Sequence, residues 1–410
     1  MRKAYKYRIY PNQGQQEALA RQFGCARVVY NWGLTERKNA YENKGQSLNY
    51  RALANRLPEL KAEHEWLKEA DSQVLQQKLR DLDQAYDNYF RRVKAGNRPA
   101  GYPRYKSKHS QQSIRYPQRF RLSENGKKIY LPKVGWVKVK QHRAVEGEMK
   151  NCTVTKTKSG KYFVSIQCEM ELPEVVLWGE PLGVDMGLID FATFSDLAEP
   201  AVPTPKYLRK AEEKLAKLQK KLARQKKGSK SYQRTQQRVA RQHEKVANQR
   251  RDFHHKLSYY LTVVYGLLAF EDLNIKGMVK NRRLAKSISD AAWGQFLQFC
   301  QYKAEWYGCA IRQVDRFFPS SKKCSVCGNI NRALQLSERR WVCPFCGTEL
   351  ARDPNAALNI LLEALTEAER QSRMAAYNAV GNQRRNAGGA TIRPGQFDRR
   401  VAGKPEAQAL

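Results

Sequence analysis

Cys324-Ser-Val-Cys327, then Cys343-Pro-Phe-Cys346, then Asp353-Pro-Asn-Ala-Ala-Leu-Asn-Ile-Leu-Leu362: this stretch decides how the rest of the chain is read. Fifteen residues separate the cysteine pairs, and C-x2-C-x15-C-x2-C is the spacing of a tetrahedral four-thiolate zinc site. Gly328 and Gly347 close a tight turn behind each pair, so that two thiolates from each turn converge on one ion. Four thiolates leave no open coordination position, which makes the expected Zn2+ structural. Residues 310–314 before the module read as a strand, and Asp353, seven positions after Cys346, opens a helix. The zinc module is therefore wedged between a strand and a helix of a larger fold.

Three carboxylates stand where carboxylates are disfavoured. Asp185 lies in the apolar strand Leu182-Gly-Val-Asp-Met-Gly187, where an unpaired buried charge is costly. Glu271 directly follows Leu267-Leu-Ala-Phe270, with Asp272 beside it, and strand alternation does not decide between the two. Asp353 has an ordinary explanation too, as an N-cap with Pro354 at the first helical position. A strand, a strand end and a helix start are brought together at one end of the sheet in an RNase H-like fold. In-line phosphodiester hydrolysis needs charge stabilisation on the attacking and leaving oxygens, which two Mg2+ ions about 3.5–4 Å apart supply. Carboxylate oxygens suit that hard cation.

Composition points to the partner. The 410 residues carry 75 Lys and Arg against 39 Asp and Glu, a net charge of +36 that repels itself unless a polyanion neutralises it. No run of about eighteen apolar residues and no apolar leader is present, so a soluble intracellular protein is expected, with no membrane partner. Four of the nine cysteines belong to the zinc pattern; Cys25, Cys152, Cys168, Cys300 and Cys309 are scattered and read as small buried residues in a reducing compartment.

Along the chain, Tyr5-Lys-Tyr-Arg-Ile-Tyr10 alternates as a strand, and residues 15–99 show helical spacing in Leu19, Phe23, Ala26 and Tyr30 and again in Leu79, Leu82, Tyr86 and Phe90. Residues 98–142 hold twelve basic residues and one acid, interleaved with aromatics on short alternating strands of a small expected barrel. Such a surface suits phosphate neutralisation and base stacking, and Tyr102, Arg104, Tyr105, Lys106 and Lys108 are its candidate contacts. Residues 206–256 carry eighteen basic against four acidic side chains on two helical stripes broken at Gly228-Ser229, which predicts a basic hairpin with Lys226 and Lys227 at its turn. Residues 263–270 form an apolar run, and 292–307 an amphipathic helix.

In order, Tyr10-Pro-Asn-Gln, Gly101-Tyr-Pro-Arg-Tyr-Lys-Ser-Lys108, Leu131-Pro-Lys-Val-Gly-Trp136, Gly183-Val-Asp-Met-Gly187, Glu271-Asp-Leu-Asn274, Phe318-Pro-Ser-Ser-Lys-Lys-Cys324 and Arg352-Asp-Pro-Asn-Ala-Ala-Leu-Asn-Ile360 resemble the TnpB family, also called the OrfB or zinc-ribbon transposase family. Its members are transposon-encoded RNA-guided DNA endonucleases related to type V CRISPR effectors. The resemblance implies an α/β multidomain chain with a split RuvC-type RNase H-like nuclease domain and catalytic, Mg2+-holding acids at Asp185, Glu271 and Asp353. It implies a β-barrel wedge-like domain at 1–14 and 99–172, with recognition helices at 15–98. The nuclease domain would span 180–318, the four-cysteine ribbon of Cys324, Cys327, Cys343 and Cys346 would span 319–350, the closing nuclease helix 351–365, and a basic flexible tail 366–410. The implied partners are a noncoding guide RNA from the transposon end, one protein per RNA, and target double-stranded DNA next to a short motif, in the cytoplasm of a prokaryote. The chain departs from the family at Ala351, where relatives carry an acid. A zinc-ribbon regulator that binds without cutting and a strand-transfer transposase are the rival readings.

Overall fold

The computed structural model describes residues 1–96, 98–109, 111–171, 179–196, 201–335, 337–367 and 369. The chain divides into two compact units, 1–171 and 172–410. The tail expected from 366 onward lies outside the described residues except for Thr366, Glu367 and Glu369.

In the first unit, strand β1 (Arg2–Tyr10) leads into helix α1 (Gln13–Lys44). Asn12 and Gln15 form a reciprocal capping box at its start, and Gly45 ends it in the left-handed region. Short helices α2 (Tyr50–Asn55) and α3 (Leu57–Glu63) follow, then α4 (Ser72–Lys94), N-capped by Asp71. Val29 and Leu34 of α1 meet Leu75, Leu79 and Leu82 of α4 in one core. Strands β2 (Gln112–Tyr116), β3 (Arg121–Leu122), β4 (Lys128–Leu131), β5 (Gly135–Lys140), β6 (Glu148–Lys156) and β7 (Tyr162–Glu169) join β1 in a seven-stranded sheet ordered β2-β6-β7-β1-β5-β4-β3. Its pairs are antiparallel. Tyr5, Tyr7 and Ile9 point inward with Val137, Val154 and Ile166, and Lys6 points outward, as the alternation predicts.

Two expectations are corrected here. The sheet is a half-barrel: β2 and β3 are its edges and do not pair with each other among the described residues. Residues 100–107 are not part of it. They lie along the helices, with Asn31 of α1 bonded to both backbone groups of Lys106 (2.8 and 3.0 Å) and Arg92 of α4 bonded to the Ala100 carbonyl (2.9 Å).

The second unit is built on strands β8 (Pro181–Asp185), β9 (Asp190–Phe194), β10 (Ala201–Pro203), β11 (Leu267–Glu271) and β12 (Ala310–Val314), ordered β10-β9-β8-β11-β12. The β8–β9 and β9–β10 pairs are antiparallel, whereas β8, β11 and β12 run parallel. Helices α5 (Tyr207–Ala223) and α6 (Lys230–Val264) form the basic hairpin, with Ser229 capping α6. Its apolar seam is tightest at the base: Ala211, Leu215 and Val246 cluster, while Tyr232 and Val239 stay half-buried. The apolar run 263–270 is divided, because Val263 and Val264 finish α6 and the strand begins at Leu267. Short helices α7 (Ile275–Met278) and α8 (Ala285–Ala291) precede α9 (Trp293–Tyr307), whose Phe296 packs with Phe191, Phe253 and Phe270. The ribbon hairpin β13 (Arg340–Val342) and β14 (Glu349–Ala351) follows, and α10 (Arg352–Ala364) lies against β8.

Gly183 sets that last approach. A Cβ there would sit 2.0 Å from the Ala357 carbonyl oxygen, and backbone cannot yield as a side chain does. Gly183→Ala is expected to lower stability by at least about 1–3 kcal/mol, read as a lower urea midpoint.

Candidate active site

Asp185 ends β8 and Glu271 ends β11, and the parallel register that pairs Phe270 with Val184 places the two carboxylates side by side at the carboxyl edge of the sheet. That edge is where open α/β sheets bind ligands. Asp353 enters from the first turn of α10. It is not the N-cap, since Ala351 occupies that position without a side-chain bond. Burial pushes Asp185 up to about 7, the nearby charges of Glu271 and Asp353 push the same way, and Arg352 and Arg339 oppose them. The charges of Glu271 and Asp353 thus both reach Asp185.

Glu271 and Asp353 each have a distinct partner. The Ser320 hydroxyl donates to Glu271. Asp272 instead turns to Arg316, which removes it from the cluster. Both oxygens of Asp353 accept from Arg339 Nη1, at 2.8 and 3.1 Å, and Arg352 Nε lies 3.4 Å away. A fourth acid, Asp190, feels Asp353 as well, although burial is the larger cause of its raised pKa. Ser320, Arg339 and Asp190 were not singled out by the sequence. The oxygens of the three acids are not all within 4.8 Å of one another, a spacing that among the described residues only the cysteines achieve.

The ribbon supplies two of those partners. Its two knuckles are alike: Gly328 N donates to the Cys324 carbonyl and Gly347 N to the Cys343 carbonyl, both at 2.9 Å, with both glycines at positive φ. The Cys324–Cys346 and Cys327–Cys343 sulfurs are 3.8 and 3.6 Å apart. Tetrahedral Zn–S bonds of about 2.3 Å require about 3.8 Å, so the four thiolates fit one structural zinc. Hydrogen bonds from Thr348 hold Cys346 down at about 6, and burial raises Cys324 to about 12, an imbalance that binding as a zinc thiolate removes. Buried Asn355 and Asn359 tie the first knuckle to α10: Asn355 bonds Ser325 N and the Lys323 carbonyl, and Asn359 Nδ2 bonds the Ser320 carbonyl at 2.8 Å. The other five cysteines are buried and scattered, as expected.

The candidate nucleic-acid contacts are exposed, and some are restrained. Tyr102 shares a 2.8 Å bond with Tyr86, Tyr105 one of 3.2 Å with Thr35, and Lys106 lies over Tyr30. Arg104 and Lys108 are exposed on the same segment, and Lys226 and Lys227 on the α5–α6 turn. No helix among the described residues is long and apolar enough to cross a membrane.

Profiles described as "Probable transposase", "Cas12f1-like, TNB domain" and "Helix-turn-helix domain" match residues 165–282, 293–360 and 1–46. A putative RNA-guided DNA endonuclease of Streptomyces pristinaespiralis is 36% identical over 89% of this chain and 90% of its own length. The chain belongs to the TnpB family. The putative RNA-guided DNA endonuclease InsQ of Escherichia coli K12, 33% identical over 87% of this chain and 91% of its own, agrees with that placement. The fold is shared with Cas12f1 in a solved Cas12f1–sgRNA–target DNA complex, at TM-score 0.52 and 13% identity over 88% of this chain and 98% of that one. One departure from a matched description is visible in this TnpB-family chain: residues 1–46 form β1 and the single long helix α1 rather than two helices and a turn.

Proposed function

We propose that this chain is an RNA-guided DNA endonuclease that hydrolyses phosphodiester bonds beside a short target-adjacent motif, with Asp185, Glu271 and Asp353 as its catalytic acids. The observation that carries the reading is the convergence of these acids at the carboxyl edge of a mixed sheet, in a chain of the TnpB family. The same arrangement supports a RuvC-type RNase H-like nuclease domain.

Asp185, Glu271 and Asp353 would hold two Mg2+ ions, which supply charge stabilisation of the attacking and leaving oxygens and activation of water. Asp185, which feels the charges of both other acids, is the natural shared ligand. Ser320 orients Glu271, and Arg339 orients Asp353 through its Nη1, which bonds both carboxylate oxygens. Sequence choice would fall to the guide, so protein contacts, including Tyr102, Arg104, Tyr105, Lys106, Lys108, Lys226 and Lys227, would go mainly to backbone and stacked bases. The net charge of +36 supports a large polyanionic partner.

Sequencing the RNA that co-purifies with the protein expressed from its own flanking locus tests the reading. One abundant species with a fixed scaffold and an interchangeable end is expected, and changing that end should redirect cutting. The pairing of Asp353 with Arg339 favours a second reading, a binder that does not cut. A footprint on DNA with no cleavage in Mg2+ would establish it instead.

A further inference from the structure

Residues 315–320 leave the carboxyl end of β12 beside Glu271, and their backbone is fixed at both ends. The Asp315 carboxylate accepts from Phe317 N at 2.8 Å, and the Asp315 carbonyl accepts from Phe318 N at 3.2 Å. Arg316 Nε donates to the Asp272 carbonyl at 3.2 Å, and Ser320 N donates to the Phe318 carbonyl at 2.8 Å while its hydroxyl reaches Glu271. On this anchored turn the two phenylalanines part. Phe318 turns inward to the cluster of Val314, Ile360 and Leu361, with the Lys323 ammonium over its ring. Phe317 turns outward and is 86% exposed, the highest value for any large apolar side chain among the described residues.

A single exposed apolar residue on a loose loop has no meaning by itself. Here the side chains of Arg316 and Ser320, on either side of the two phenylalanines, are bonded to Asp272 and Glu271, so the turn that presents the Phe317 ring to water is tied to the strand end that bears the carboxylates. We propose that Phe317 is a stacking platform for an unpaired nucleobase of the strand being cut, next to the phosphate addressed by Asp185, Glu271 and Asp353. The inference rests on the nuclease reading above for the identity of that strand. In a duplex the faces of a base are covered by its neighbours, whereas an unpaired base offers a free face to an aromatic ring. Every base has such a face, so the contact is independent of sequence, as a site programmed by a guide requires.

The test uses the full-length protein with its co-purified RNA and a single-stranded deoxyoligonucleotide carrying 5-iododeoxyuridine, irradiated and digested with trypsin. Cleavage after Arg316 and Lys322 releases Phe317-Phe-Pro-Ser-Ser-Lys322, so the adduct is read by fragmentation. The expected adduct is on Phe317 and not on Phe318. Phe317→Ala should bind the oligonucleotide about 5- to 150-fold more weakly, and Phe317→Tyr should bind as the natural chain does, both with zinc content unchanged. No adduct on this peptide, or an alanine variant that binds as tightly as the natural chain, overturns the proposal. An adduct on Phe317 in a protein whose Asp185→Ala variant still cuts would uphold stacking and remove the nuclease reading. Asp185-dependent cutting without the adduct would remove stacking alone.

Discussion

Asp185→Ala is expected to reduce DNA cleavage by about a thousandfold or more while leaving the bound RNA in place, measured as product formed per unit of protein–RNA complex. Glu271 and Asp353 do not replace it, because they approach from a different strand and from a helix, and each already has its own partner. Cleavage by the variant at the same position and rate would sink the assignment. The variant should also show what the acid costs. Asp185 ionises near 3.8 in the unfolded chain and at about 7 in the folded one. Between those values the folded protein keeps a proton that the unfolded chain has lost, so stability falls as pH rises through the window and the whole cost is present above 7. About three units correspond to a penalty on the order of 4 kcal/mol. Asp185→Asn, in buffer without Mg2+, should therefore melt above the natural protein at pH 8, by a smaller margin at pH 5. A variant that melts lower at pH 8 would mean that Asp185 holds the fold together instead of straining it.

Cys343→Ser carries the second large effect. Three remaining thiolates hold zinc poorly, and a structural zinc stabilises its module by about 10–16 kcal/mol, far more than the small ribbon core of Leu334 and Trp341 provides. Bound zinc should drop from one per chain to none by atomic absorption. Cleavage should fall about a hundredfold or more, because Ser320 and Arg339 lose the frame that aims them at Glu271 and Asp353. Cys300→Ser is the control: this cysteine lies in the main core of the second unit, away from the four-cysteine cluster, so zinc should stay and only stability should fall. A zinc-free protein cutting at the natural rate would show that the ribbon does not position the acids.

Much of this site was legible because some local patterns have few uses. Four cysteines at that spacing with a glycine behind each pair have one common meaning, and an aspartate inside Leu182-Gly-Val has no local purpose. Arg339 was not legible. Arg332, Arg339, Arg340 and Arg352 surround the second cysteine pair, and only the register that pairs Arg340 with Ala351 puts Arg339 beside Asp353. Alternation also could not settle whether the first sheet closes, since an edge strand and a paired strand show the same pattern of buried side chains. The run 263–270 misled for a related reason: a helix end and a strand buried by the same core are equally apolar.

The place of β1 in its sheet bears on synthesis. This strand leaves the ribosome well before both of its neighbours, β5 and β7, which are encoded more than a hundred residues later. Until residue 140 has emerged, β1 has an open hydrogen-bonding edge on each side, and the edge that faces β7 stays open until residue 169. The contacts within α1 to α4 are closer in sequence and can form during that interval. Nascent chains halted near residue 110 would therefore present a helical body with a naked strand, and such fragments are expected to self-associate through it, whereas chains extended past β7 would not.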